Sequence, residues 1–335
     1  MNWSSGYSAA FYLRVVDSAT WRDTDRIEVT GGNISRSLSD LQESADLECI
    51  EYEHPAEQWV RVWMDVRQSG DAAHVPLFTG LAVSPDQDID GMLRKNTVQC
   101  YSVLKPAQDV LLPRGWFAGE GMNGGELVRQ LLSVTPAPKT VTGIAPDLSQ
   151  NIIAENGESY LSMARKILDA MNWRLRIGGD GVIEICPRAN EISADFNSLT
   201  ADSLNPSVRM SSDWFECPNV FRAVKGDEYE VVRDDDPDSM LSTITRGREV
   251  WMEDTGCHLN NGESLYAYAV RRLREEQQVA VSVSYDRRYH PDVMVGDRVR
   301  LRYPAQKIKG VFRVVSQKVT LGYGAMTAEE VEADG

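Results

Sequence analysis

The segment Gln58-Trp59-Val60-Arg61-Val62-Trp63-Met64-Asp65-Val66 alternates without a break. Val60, Val62, Met64 and Val66 fall on one face, and Trp59, Arg61, Trp63 and Asp65 on the other. A period of two predicts a half-buried strand, one face in a core and the other toward solvent or a partner. The flanking sequence repeats the pattern in Phe11 to Val16, Arg26 to Thr30, Asp46 to Tyr52, Pro76 to Val83 and Thr97 to Leu104. A turn is expected at Gly31-Gly32-Asn33. Six short strands at this spacing predict a small β-barrel or sandwich, assigned to residues 1–110.

Helical periodicity follows. Asn123-Gly124-Gly125-Glu126 precedes Leu127, Val128, Leu131 and Leu132, and Asn156-Gly157-Glu158-Ser159 precedes the stripe Leu161, Ala164, Leu168 and Met171. The second helix runs into Trp173 to Ile177, the turn Gly178-Gly179-Asp180-Gly181 and Val182 to Ile185, a hairpin. Residues 111–192 therefore read as an α+β domain. Residues 193–335 return to strands, at Asn219 to Val224, Tyr229 to Val232, Val279 to Tyr285, Arg298 to Tyr303 and Val311 to Thr320. They read as a closing β-barrel with an inserted helix near 261–278, opened by Asn261-Gly262-Glu263-Ser264. The fold class is thus mainly β, two small barrels flanking an α+β domain.

The 335 residues suffice for roughly two to three domains, and 42% hydrophobic content supports a sizeable core. Apolar runs such as Ala9 to Leu13 fall far short of the roughly 20 residues that cross a bilayer. The start Met1-Asn2-Trp3-Ser4-Ser5 has no basic n-region, so a soluble chain made in the cytoplasm is expected, with no membrane insertion. Against 35 Lys and Arg stand 50 Asp and Glu, net −15, which argues against a broad nucleic-acid-binding face. Cys49, Cys100, Cys186, Cys217 and Cys257 include no C-x-x-C pair and read as buried reduced thiols.

Signals for chemistry are sparse. Gly119-Glu120-Gly121-Met122-Asn123-Gly124 matches G-x-G-x-x-G, but no buried strand precedes it and no second βαβ unit follows, so it reads as a helix cap. His54 and His290 precede prolines, His74 lies in a polar loop, and Cys257-His258 lacks the spacing of a structural zinc site. No nucleophile elbow or H-E-x-x-H helix is present. Glu329, Glu330 and Glu332 read as a solvated tail. Neither a catalytic residue, nor a cofactor, nor a metal site is expected.

Two charge features stand out. Asp234, Asp235, Asp236 and Asp238 form a candidate acidic loop, either solvated or facing a channel or a calcium ion. Arg298, Arg300 and Arg302 alternate with Val299, Leu301 and Tyr303, so three cations share one strand face. With Trp59 and Trp63 they are the candidate subunit or partner interface, the arginines expected to meet a partner or neighbouring carboxylates rather than a DNA-bearing lumen.

The phrase Pro291-Asp292-Val293-Met294-Val295-Gly296-Asp297-Arg298-Val299-Arg300-Leu301, followed by Gly310-Val311-Phe312-Arg313-Val314, resembles the closing barrel of bacteriophage baseplate hub and tail-associated proteins. Ile34-Ser35-Arg36-Ser37-Leu38-Ser39-Asp40-Leu41 with Ala45-Asp46-Leu47, and Tyr160 to Gly181, resemble earlier segments of that family in the same order. The resemblance implies a trimeric hub of the virion's tail tip, whose paired barrels present pseudo-six-fold symmetry to a tail tube or distal tail ring. A spike or central fibre would sit on the other side, with the tape measure protein as a further neighbour and DNA as passing cargo. It implies no active-site residue. Two other readings are a carbohydrate- or receptor-binding module, with Trp59, Trp63, Trp116, Trp173, Trp214 and Trp251 as stacking surfaces, and a tail-associated peptidase or peptidoglycan hydrolase.

Overall fold

The computed structural model describes residues 1–3, 5–38, 41–50, 52, 57–83, 86–90, 93–188, 190–200, 204–211, 214–260, 262–278 and 281–333. Ser4, Ser39, Asp40, His54, Asn261 and Val279, named above, lie outside them.

The first six-stranded unit is a closed barrel. Ser8–Val16 pairs antiparallel with both Gln58–Gln68 and Asp23–Ser37, and the ring continues through Asp71–Ala82, Leu93–Ser102 and Glu43–Cys49. Closure leaves no open edge along the ring. Inside it the alternating residues bury Leu13, Ile34, Leu47, Val60, Val62, Met64 and Val98. The turn expected at Gly31 to Asn33 does not form. The strand runs straight through as Asp23–Ser37, with a bulge between Val29 and Gly31 that absorbs one extra residue against Glu43–Cys49.

A second six-stranded unit follows the order Ile192–Asn197, Arg298–Tyr303, Ile308–Leu321, Thr327–Ala333, Ser282–Arg287, Leu204–Ser211. It curls around Phe196, Tyr285, Val299, Leu301, Tyr303, Val314 and Val331. The long strand Ile308–Leu321 serves both units. Its first half pairs with Arg298–Tyr303, and Ser316 to Leu321 pair with Ser37 to Gly32 of the closed barrel. The two barrels therefore share one continuous sheet.

The segment expected as a solvated acidic tail is instead a strand, Thr327–Ala333, and alternation turns Thr327, Glu329 and Val331 inward. Glu329 is buried and paired with Arg287 at 2.7 Å, while Gln317 donates to it at 2.6 Å. An inward carboxylate is tolerated because the partners supply the hydrogen bonds that water would have made.

Between the barrels lies a helical layer of α1 (Lys105–Asp109), α2 (Gly124–Leu131) and α3 (Tyr160–Met171). They pack on the hairpin Trp173–Ile177 and Ile183–Pro187, with Lys139–Val141 parallel to its second strand. Caps set the helix starts. Asn123 accepts from the Glu126 N–H at 3.1 Å and Ser159 from the Ser162 N–H at 3.1 Å. This layer docks on the closed barrel through the turn at Gly178 to Gly181. Trp21 and Arg61 both donate to the Asp180 carbonyl, at 3.0 and 2.9 Å, and Thr79 donates to that of Gly179 at 2.8 Å. Only glycine fits at position 179, because an added Cβ would lie 2.0 Å from the Pro76 carbonyl oxygen.

The strands read at 219–224 and 229–232 do not enter the closing barrel. Val220–Lys225 pairs with Glu228–Arg233 and Trp251–Asp254 in a sheet of its own. Helices α4 (Thr243–Arg246) and α5 (Leu265–Gln278) accompany it, and Tyr268, Ala269 and Leu273 of α5 cover Phe221, Ala223 and Val232. Alternation identifies strands but carries no mark of the sheet they join. Among the described residues no helix is long and apolar enough to cross a membrane.

Candidate partner-binding face

Arg298, Arg300 and Arg302 do share the outer face of their strand, where Val299, Leu301 and Tyr303 are buried beneath them. Directly opposed residues of an antiparallel pair lie on one face. The register sets Arg298 beside Arg313 and Arg302 beside Lys309, so five cations gather on two strands. Asp195, on the parallel neighbour Ile192–Asn197, accepts from Arg300 at 3.4 Å and also pairs with Arg302. Arg298 instead donates to the Asn190 carbonyl at 2.6 Å. Arg300 and Arg302 share that carboxylate, so their two positive charges exceed its one within an acidic chain. Arg300 and Arg302 keep 44% and 40% of their side chains exposed, enough for a partner's carboxylates to reach them.

Trp59 and Trp63 lie elsewhere. Trp59 packs on Trp21, ring centroids 5.5 Å apart, and against the core of the α+β domain. Trp63 donates to Asp23 at 2.8 Å, and Arg61 pairs with the same carboxylate at 2.5 Å. Both tryptophans thus contact this chain's own residues, and the structure does not bring them to the arginine strand. Trp173 is buried and Trp116 half-buried at the α+β core. Trp214 and Trp251 are about half-exposed on the insert, where Arg246 lies over the first and Arg222 and Arg233 over the second.

The acidic loop follows strand Glu228–Arg233. Asp234 accepts from Ser239 Oγ at 2.7 Å and from Gln277 of α5 at 3.0 Å. Asp235 accepts from the Thr243 hydroxyl and Asp236 from the Asp238 N–H at 2.9 Å. These carboxylates fold their own loop. Among the described residues no group of three His, Cys, Asp or Glu side chains could hold a metal ion. Cys257 donates to the Asp254 carbonyl, and burial pushes its thiol pKa up and that of the His258 imidazole down.

The repeated Asn-Gly-Glu-Ser does more than place an acidic residue at a helix start. In both copies the glutamate accepts the N–H three residues upstream, Glu158 from Glu155 at 2.8 Å and Glu263 from Asn260 at 2.9 Å. Each is then paired with a cation eight residues on, Lys166 and Arg271. Burial alone would push both carboxyls up, but these donors hold them below the usual glutamate value.

No family profile matches the chain, and neither does any curated protein sequence. Solved structures do match. A tail protein from Neisseria meningitidis superposes with a TM-score of 0.71 at 15% identity, covering 99% of this chain and 98% of that one. The 43 kDa tail protein of prophage MuSo2 from Shewanella oneidensis gives 0.68 at 15% identity, covering 97% and 98%. An E. coli component of the type VI secretion system, itself described as structurally similar to bacteriophage tail proteins, gives 0.53 at 8% identity over 92% and 74%. From its closed barrel to its closing sheet, the chain has the fold of phage tail proteins.

Proposed function

We propose that the chain is a structural protein of a phage-type tail. It acts as a hub at the tail tip or baseplate, three copies forming a ring that joins the tail tube to a spike or central fibre around the path of the ejected DNA. The observation that carries this reading is the strand Ile308–Leu321, which fixes two barrels side by side in one sheet. Three such chains would present six barrels to a six-fold tube. The cationic strand face supplies one half of the charge complementarity that sets register between subunits. Native mass spectrometry of the chain, alone and mixed with the tail-tube protein, tests it. A species of three 37.4 kDa chains is expected, templated by the tube where the free chain is monomeric. A 37.4 kDa monomer under both conditions would overturn the reading.

A further inference from the structure

Where the closed barrel, the α+β domain and the closing barrel meet, a cavity of about 270 Å³ is lined by Arg36, Arg165, Arg174, Arg176, Arg188 and Arg313. Such a concentration of guanidinium groups does not follow from composition, since the chain as a whole is acidic. Among the described residues, two nearby carboxylates are each committed to one arginine. Asp169 is taken by Arg188 at 2.8 Å and Asp297 by Arg174 at 2.7 Å. Arg176 stands 3.8 Å from both Asp297 and Glu184, beyond hydrogen-bond range.

The deepest of these cations is the least satisfied. Arg36 is 4% exposed; one terminal nitrogen donates to the Leu77 carbonyl, while Nε and Nη1 have no hydrogen-bond partner among the described residues. Its counter-charge, Glu43, lies 3.6 Å from Nε. Burial outweighs Arg36 and pushes the Glu43 carboxyl up to about 8, so near neutral pH it offsets little of the arginine's charge. Nε and Nη1 of Arg174 and Nε of Arg176 are buried and unpartnered as well. Leaving several guanidinium donors unmet in a desolvated place is costly, and an oxyanion meets them in bidentate fashion.

We propose that this junction cavity is a binding site for a small multivalent oxyanion, inorganic phosphate or a compact polycarboxylate, that ties the three bodies together. The volume far exceeds the room one water needs and lies just under that of sites for drug-sized ligands, which suits an ion of this size. Arg313 lies beside Arg298 in register, so the cavity continues into the cationic strand face.

Calorimetric titration of the full chain with inorganic phosphate, and separately with citrate, at constant ionic strength against sodium chloride, tests the proposal. Saturable binding of one or both anions, with a raised melting temperature, is expected, and the tighter of the two identifies the source. In Arg176→Gln, binding should weaken about tenfold or more, the loss of a charge-assisted donor, with melting in chloride close to that of the parent. If that variant melts early, Arg188→Gln, whose side chain is 44% exposed, takes its place. Neither anion differing from chloride, or a folded variant binding as tightly as the parent, would overturn it.

Discussion

Arg174 donates to Asp297 at 2.7 Å, and by that bond the α+β hairpin is bolted to the closing barrel. Asp297 is buried and also accepts the Met294 N–H at 3.0 Å, so its carboxylate anchors the turn from which it comes. Gly296 makes the approach feasible: its φ is +85°, and an added Cβ would lie 2.7 Å from Arg174 Nη1. Two of the segments that carry the family resemblance are therefore in direct contact. Asp297→Ala, which strands a largely buried guanidinium, should lower unfolding free energy by about 3 kcal/mol in urea titration. Gly296→Ala should cost about 2 kcal/mol through strain and collision. Parent-like midpoints in both would show that the junction is held by something else.

Two buried glutamates should give opposite pH responses. Burial raises Glu329, but Arg287, Tyr285 and Gln317 together hold its carboxyl below the usual value. Its contribution is therefore complete above the unfolded glutamate value and is lost as pH falls through the lower folded one. Glu43, raised by burial to about 8, behaves in reverse: folding favours its protonated form, and stability drains away as pH climbs from the unfolded value through 8. Glu43→Gln should thus melt higher than the parent at pH 9 and close to it at pH 4, whereas Glu329→Gln should melt lower at pH 7. Melting curves across pH 4 to 9 check both signs.

The turn at Gly178 to Gly181 is the second bolt, between the closed barrel and the α+β domain. Gly179→Ala should be severe, because the colliding Pro76 oxygen is backbone and has no rotamer to escape into. Trp59→Ala removes a half-buried ring from the same contact and should cost about 2 kcal/mol. The measurement is hydrogen exchange. In Trp59→Ala, protection should fall first along Trp173–Ile177 and Ile183–Pro187; a loss spread evenly over both barrels would contradict this contact as the local weak point.

How much of this was legible follows from the range of each signal. Alternation along Gln58–Gln68 and the caps at Asn123 and Ser159 are local, and strands and helices appear where they point. The sharing of Ile308–Leu321 between two barrels depends on pairing with a strand nearly 300 residues away in sequence and leaves no local mark. The tail Ala328-Glu329-Glu330-Val331-Glu332 looks solvated because an inward glutamate is indistinguishable from its neighbours until Arg287 is placed opposite. Trp59 reads as a partner residue for the same reason: its environment, the α+β core of this same chain, leaves no local mark. The arginine strand was legible, since one strand's alternation suffices to put three cations together.

That strand gives the last prediction. Replacing Arg298, Arg300 and Arg302 together by Glu should leave the isolated chain within about 1 kcal/mol of the parent, because ion pairs at exposed side chains contribute little. Asp195, the carboxylate that Arg300 and Arg302 share, sits on the same open face and is itself 36% exposed. Assembly should respond quite differently. A partner surface matched to five cations would meet three new carboxylates, and like charges juxtaposed across an interface cost several kcal/mol. The triple variant should therefore lack the oligomer or tube-bound species expected of the parent in native mass spectrometry while its urea midpoint holds. Asp195→Lys serves as the control, since it adds to the cationic surplus and should keep assembly, with association more steeply reduced by salt than in the parent. A triple variant that assembles like the parent would remove this face from the interface and send the search to the insert, where Trp214 and Trp251 remain half-exposed.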